Sequence, residues 1–266
     1  MNKVTRWLLK SFLPPFGVFC TFIALWYAVR AVLPDNRKIL LAAPHQIFTE
    51  ALSDEKVRSD ILSATWTTLE AALIGLGVAI VIGLTMAVLM SQAKWIERSF
   101  YPWAIFLQTV PILALVPLIG MWFGFELFAR VVVCAIIAMF PMIINPLNGF
   151  LSADRGLHDL FTLAGTSKAT RMAKLLGPSA LPDIFVGLQT AAGLAVVGAT
   201  VGDFFFGRGP RGLGLLINFY RSRVQTAELF ATILATCLLG LVIFWFFGAL
   251  GRRVVGKWSP AWGAPR

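Results

Sequence analysis

Six runs of roughly twenty predominantly apolar residues, at 15–33, 62–90, 102–122, 128–148, 183–205 and 227–250, restrict this chain more than any other feature. About twenty apolar residues cross the hydrocarbon core of a bilayer as one helix. The expected fold is therefore all-α, a polytopic membrane protein with about six transmembrane helices. Composition agrees: 58% of the 266 residues are hydrophobic, 14% are charged and the mean hydropathy is +0.79, values outside the range of soluble domains.

Charge orients the spans. With both termini placed in the cytoplasm, the inside segments hold 13 of the 23 Lys/Arg but four of the 13 acids, while the outside segments are nearly balanced. The positive-inside rule favours that arrangement. The net charge of +10 thus belongs to short basic segments between apolar runs, which argues against nucleic-acid binding. The N-terminal MNKVTRWLLKSFLPPFGVFCTFIALWYAV has the basic start of a signal peptide without a convincing small-residue cleavage site, and reads as a retained first span. On the outside, Ser53 in SDEKVRSD is placed to cap a short amphipathic helix.

Within the third and fourth runs, Pro102, Pro111, Pro117, Pro141 and Pro146 interrupt the helical pattern. Such breaks persist only where protein or water satisfies the freed carbonyls. Small residues recur every four positions in the second run (Gly75, Ala79, Gly83, Ala87) and in the fifth (Gly187, Ala191, Ala195, Ala199), the pattern that lets helix backbones approach closely. Glu70 and Asp203 are the charges near span ends, and Asp203 is expected to be solvated or paired with Arg208 or Arg211. Neither is clearly at the midplane, which disfavours a proton- or sodium-coupled transporter. Gln108, Asn145 and Gln189 are the polar residues chosen as candidates for lining a translocation pathway.

Catalytic chemistry is missing. GRGPRGLG at 207–214 lacks the Lys and Ser/Thr of a phosphate-binding loop. His45 and His158 stand alone, no HExxH or GxSxG occurs, and Cys20, Cys134 and Cys237 have no paired spacing. No catalytic residue, bound cofactor or metal is expected.

One interruption is different. The segment 154–182 sets Arg155, Lys168, Arg171 and Lys174 around Gly165 and ends in PSALP. A short helix through 156–164 should stop at Gly165, a residue suited to a left-handed cap, and a second should follow to about 176. Phe161, Leu160 and Leu163 would form an apolar knob, with Lys168, Arg171 and Lys174 as a charged rim or a contact with anionic lipid.

This segment resembles the cytoplasmic loop of permease subunits of ATP-binding-cassette importers. That family's signature reads EAA, three residues, Gly, nine residues, an aliphatic residue, one residue, then Leu-Pro. Here Asp159-Leu160-Phe161 is followed at the same spacing by Gly165, Leu175 and Gly177-Pro178. Asp replaces Glu, Leu-Phe replaces Ala-Ala, and Gly177 replaces Leu. The likeness runs from about 63 to 247, through QTVPILALVPLIGMWFGF, FPMIINPLNGFLSAD and VGDFFFGRGPRGLGLLI. It points to the branch carrying nitrate, sulfonate, taurine and bicarbonate, with riboflavin and pyrimidine-precursor permeases.

The resemblance implies a type I importer permease: one transmembrane domain over 1–266 with core 63–247 and coupling loop 154–182, in a prokaryotic plasma (inner) membrane. It implies cytoplasmic ATPase subunits that bind the ATP, an external substrate-binding protein and a second permease copy, making a homodimer or pseudodimer. It assigns Asp159, Leu160, Phe161, Gly165, Leu175 and Pro178 to ATPase coupling. The alternative from another class is a self-sufficient secondary transporter or channel, which co-purification with a nucleotide-binding subunit would separate.

Overall fold

The computed structural model describes residues 3–207 and 209–256, with side chains from residue 13 onward. Among them every regular element is helical. The main helices are α1 (Lys3–Val32), α2 (Glu55–Gln92), α3 (Lys94–Thr109), α4 (Ile112–Phe123), α5 (Leu127–Leu151), α6 (Arg155–Leu163), α7 (Lys168–Phe205), α8 (Leu213–Ser222) and α9 (Thr226–Val255). The helices α2, α5, α7 and α9, with Leu13–Val32 of α1, are long and apolar enough to cross a membrane, and α3 with α4 makes a sixth span if the bent pair is counted as one.

That bent pair corrects the expectation of a single third span over 102–122. The chain turns by 96° between α3 and α4. Pro111 has no N–H and pushes its predecessor out of the helical region; Val110 is accordingly extended, with φ −64° and ψ 127°. Pro102 and Pro117, by contrast, lie inside α3 and α4.

Pro141 and Pro146 do not interrupt the fourth span, since α5 runs unbroken for 25 residues. Its neighbours approach closely where the prolines sit. Pro146 deprives the Met142 carbonyl of its helical donor, and a Cβ added at Gly83 of α2 would lie 2.9 Å from that oxygen. A Cβ at Gly187 of α7 would lie 2.8 Å from the Pro141 oxygen. Farther along, a Cβ added at Gly75 of α2 would press on the Cys134 side chain, and one added at Gly198 of α7 would lie 2.8 Å from the Cys134 Cα. The two small-residue stripes thus both pack on α5, with Ala79, Ala87, Ala191, Ala195 and Ala199 buried alongside.

The fifth span also differs from expectation. The second helix of the 154–182 segment does not end near 176, but continues as α7 for 38 residues. A π-turn over Met172–Leu176 makes this possible, with the Gly177 N–H donating to the Met172 carbonyl. The wider turn accommodates Pro178, which supplies no donor. Gly177 fits because a Cβ there would already lie 3.0 Å from the Met172 oxygen.

The chain divides into two compact units, Met1–Leu62 with Ile217–Leu234, and Ser63–Leu216 with Ala235–Arg266. In the first, the α1–α2 connection is tied down by side chains. Trp26 Nε1 donates to the Ala42 carbonyl at 3.1 Å, Arg30 to the Leu41 carbonyl, and Thr226 Oγ1 to the Ile39 carbonyl at 2.8 Å. His45 is not alone: its Nδ1 is 2.9 Å from the Tyr27 hydroxyl and the two rings stack. Ser53 is not the cap of the following helix. Its hydroxyl donates to the Phe48 carbonyl at 2.9 Å, while Asp54 Oδ1 accepts from the Lys56 N–H at 2.8 Å. Two residues past the end of α8, Val224 has φ 59°, a left-handed backbone in a β-branched residue that stores roughly 1–2 kcal/mol of strain.

The larger unit is centred on α5. One apolar cluster joins Ala87 and Met90 of α2, Leu147 and Phe150 of α5, and Leu175 and Leu176 of α7. A second gathers Val116 and Ile119 of α4, Val133 of α5, and Phe206.

Candidate coupling site and a buried charge network

Helix α6 is built to end sharply. At its start Asp154 Oδ1 accepts from the Leu157 N–H at 3.1 Å, the N-cap role suited to Asp. At its end Gly165 has φ +61°. The Gly165 N–H donates to the Thr162 carbonyl at 3.0 Å and the Thr166 N–H to the Phe161 carbonyl at 3.2 Å, the paired bonds of a Schellman turn. Two residues later Ser167 Oγ accepts from the Thr170 N–H at 3.1 Å and opens α7. Arg171 Nη2 donates to Thr162 Oγ1 at 2.9 Å across the turn. The helix-turn-helix expected around Gly165 is present, with α6 one residue earlier than 156–164.

The residues singled out for coupling do not share one surface. Asp159, Leu160 and Gly165 are exposed, and Leu160 joins Leu157 and Leu163 in an apolar stripe that is 44–87% exposed. Phe161 does not belong to that knob: it turns inward against the core cluster that contains Leu147 and Phe150. Leu175 is buried in the same cluster, and Pro178 is half-buried next to the π-turn. The exposed residues thus sit on α6 and on the turn that ends it, and the others anchor the turn to the bundle.

The three pathway candidates meet different neighbours. Gln108 borders an open apolar groove of about 410 Å³ lined by Val110, Leu113, Phe140, Leu194 and Val197. Asn145 Nδ2 donates to the Pro141 carbonyl of its own helix at 3.0 Å. Gln189 lies against α9, where a Cβ at Gly248 would meet its Nε2 at 2.6 Å. Arg221 donates to Asn218 Oδ1 at 2.9 Å and Arg223 lies 4.0 Å over the Phe219 ring; Arg208, an expected partner of Asp203, lies outside the described residues.

Arg130 belongs to no sequence motif. It lies within the fourth apolar run, is 1% exposed, and its Nε is 2.9 Å from Asp203 Oδ1, itself fully buried. Asp203 is therefore not a solvated helix-end carboxylate, and Arg130 of α5 pairs with it. Thr68 Oγ1 of α2 donates to Asp203 Oδ2 at 2.8 Å and accepts from the Leu213 N–H at 2.8 Å. Arg130 Nη2 donates to the Pro210 carbonyl at 3.0 Å. Glycines make room: a Cβ at Gly212 would fall 1.7 Å from Asp203 Oδ2, and one at Gly214 1.9 Å from the Thr200 carbonyl oxygen. A lone Arg in an apolar run was the available signal, since an ionisable group inside a span needs a partner.

Residues 79–256, which include α5, α6 and the turn at Gly165, match the family model described as the binding-protein-dependent transport system inner membrane component. The chain belongs to this family. As a permease subunit of an importer of the ATP-binding-cassette class, it is not a self-sufficient transporter or channel. The permease is 30% identical to the formylaminopyrimidine transport permease protein ThiX of Halalkalibacterium halodurans, over 87% of this chain and 90% of that one. It is 34% identical to the riboflavin transport system permease protein RibX of Chloroflexus aurantiacus, over 64% of this chain and 62% of that one. Its fold resembles a permease chain of the MetNI methionine transporter in inward-facing conformations, with a TM-score of 0.67 and 18% identity over 76% of this chain and 99% of that one. An amino acid transporter of the same class matches with a TM-score of 0.59 and 21% identity, covering 76% of this chain and 95% of that one.

Proposed function

We propose that this permease works in a prokaryotic plasma membrane with separate cytoplasmic ATPase subunits, an extracytoplasmic substrate-binding protein and a second copy of itself, both termini being cytoplasmic. The carrying observation is α6. A capped helix with Leu157, Leu160 and Leu163 exposed on it offers an apolar stripe that needs a receptor, and Asp159 is exposed beside it. Closure of the ATPases on ATP moves α6. The two caps and the Arg171–Thr162 bond pass that movement to α7, and the spans alternate access as a bistable element. Exposed Lys168 and Lys174 face anionic headgroups or rim the ATPase groove.

Replacing Asp159 with Lys reverses the charge on the docking helix. It is expected to weaken assembly with the ATPase by about tenfold, measured as ATPase retained with affinity-purified permease. Unchanged assembly would remove Asp159 from the contact.

The cargo we propose is a small flat heterocycle, a vitamin or pyrimidine precursor, delivered by the binding protein. ThiX and RibX, by name permeases for a formylaminopyrimidine and for riboflavin, support it. Mass spectrometry of the ligand retained by the partner binding protein should show an aromatic nitrogen heterocycle. A sulfonate or nitrate would overturn the assignment.

A further inference from the structure

A glycine-rich segment that opens a helix is the backbone arrangement that holds anions at helix N-termini. At 209–214 the anion is internal, the Asp203 carboxylate. Helix α8 starts with the Leu216 N–H donating to the Gly212 carbonyl at 3.0 Å, which makes Gly212 its N-cap, a position where a side-chain oxygen normally accepts from the first-turn N–H groups. Gly212 has no side chain to do so. Thr68 of α2 accepts the Leu213 N–H instead, and the Asp203 carboxylate of α7 accepts a backbone hydrogen bond from Gly214. The 1.7 Å separation between a Gly212 Cβ and Asp203 Oδ2 shows that the carboxylate occupies the space a capping side chain would need. Arg130 of α5 neutralises that carboxylate and holds the Pro210 carbonyl. Phe206 is buried against Phe125, ring centroids 5.9 Å apart.

Four elements are thus fastened at one point by groups that are 0–1% exposed. Helix α5 begins at this point and ends, 25 residues later and so roughly 37 Å away, next to the coupling helix. Helix α7 runs the opposite way between the same two places, from the Ser167 cap to Asp203. A buried ion pair adds little net stability over apolar residues of similar volume, its attested use being to fix one arrangement among several.

We propose that Thr68, Arg130 and Asp203 form a fixed pivot that caps α8 in trans and holds the far ends of α5 and α7 together, so that a push on α6 becomes a tilt of the pair rather than a slide of one helix past the other. These are positioning residues, and the proposal rests on the coupling role of α6.

The test uses the complete transporter, permease with its ATPase and binding protein, in proteoliposomes. Thr68→Val keeps the side-chain shape and removes both hydroxyl bonds. Uptake per ATP hydrolysed is expected to fall about tenfold, the loss set by two buried polar groups left unpaired. Thr68→Ser is expected to restore it. The double variant Arg130→Met with Asp203→Leu is expected to assemble and to show the same uncoupling. A wild-type ratio in Thr68→Val or in the double variant would overturn the pivot. So would failure of both to assemble, since the cap would then act on stability alone. Binding of the ATPase to each variant is measured in parallel: normal binding with normal coupling sinks only the pivot, whereas absent ATPase binding by the unmodified permease sinks the coupling reading.

Discussion

Replacing Gly165 with Val is expected to yield a permease that inserts and assembles but imports at least tenfold less solute per ATP hydrolysed. Gly165 has φ +61°, a conformation that costs an L-residue roughly 1–2 kcal/mol and a β-branched one more. No atom lies within 4 Å of a Cβ built there, so the damage comes from the backbone rather than from a clash. Relief of that strain means giving up the bonds from the Gly165 and Thr166 N–H groups to the Thr162 and Phe161 carbonyls, and with them the angle at which α6 leaves α7. The spans are untouched, which is why insertion survives. Gly165→Asn, which tolerates the left-handed region better than any β-branched residue, should keep most of the coupling. Uptake and ATP hydrolysis measured on the same proteoliposomes check the pair; normal coupled uptake by the Val variant would contradict the role of the turn.

The largest effect on stability is expected at the charge network. Asp203→Leu leaves the Arg130 guanidinium, 1% exposed, without its counter-charge in an apolar bundle, and Arg130→Met strands the carboxylate. Removing one member of a buried pair costs about 3–5 kcal/mol, and the two variants should each lose most of their folded yield and melt well below the unmodified permease in detergent. The combined variant removes both charges and should regain much of that loss. Size-exclusion yield and thermal midpoints of the three variants form the cycle. A single variant as stable as the parent would show that the pair is not holding the bundle.

Much of this architecture was legible in the sequence because it follows from local rules. Span positions came from apolar length, and the α6 turn from a Gly at the end of a short amphipathic segment. The small-residue stripes pointed to close helix contacts, and α5 proved to be their common partner. What was missed depends on partners distant in the chain. Arg130 is a single charge in a long apolar run, and its significance appears only when Asp203, 73 residues away, is placed 2.9 Å from it. Phe161, Leu160 and Leu163 read in the sequence as one apolar knob, yet neighbours on a helix point in different directions. Leu160 and Leu163 face outward and Phe161 enters the core. The prolines show the same limit. Pro111 breaks a span by 96°, whereas Pro141 and Pro146 are absorbed by an α5 held between two helices with glycines at the contact. Pro178 is absorbed by a π-turn that no residue pattern announces. In the glycine-rich segment, the missing phosphate-binding lysine excluded one reading, but the true occupant, an internal carboxylate, required the fold.

The proposed docking of α6 on a separate ATPase uses its exposed stripe and leaves Phe161 within the permease. A photo-crosslinking residue placed at Leu160 in the complete transporter tests it most directly, with the same probe at Phe161 as the comparison. Cross-linking to the ATPase subunit from position 160, and not from position 161, is the predicted result. A probe at 160 that labels no ATPase in an actively importing transporter would contradict it.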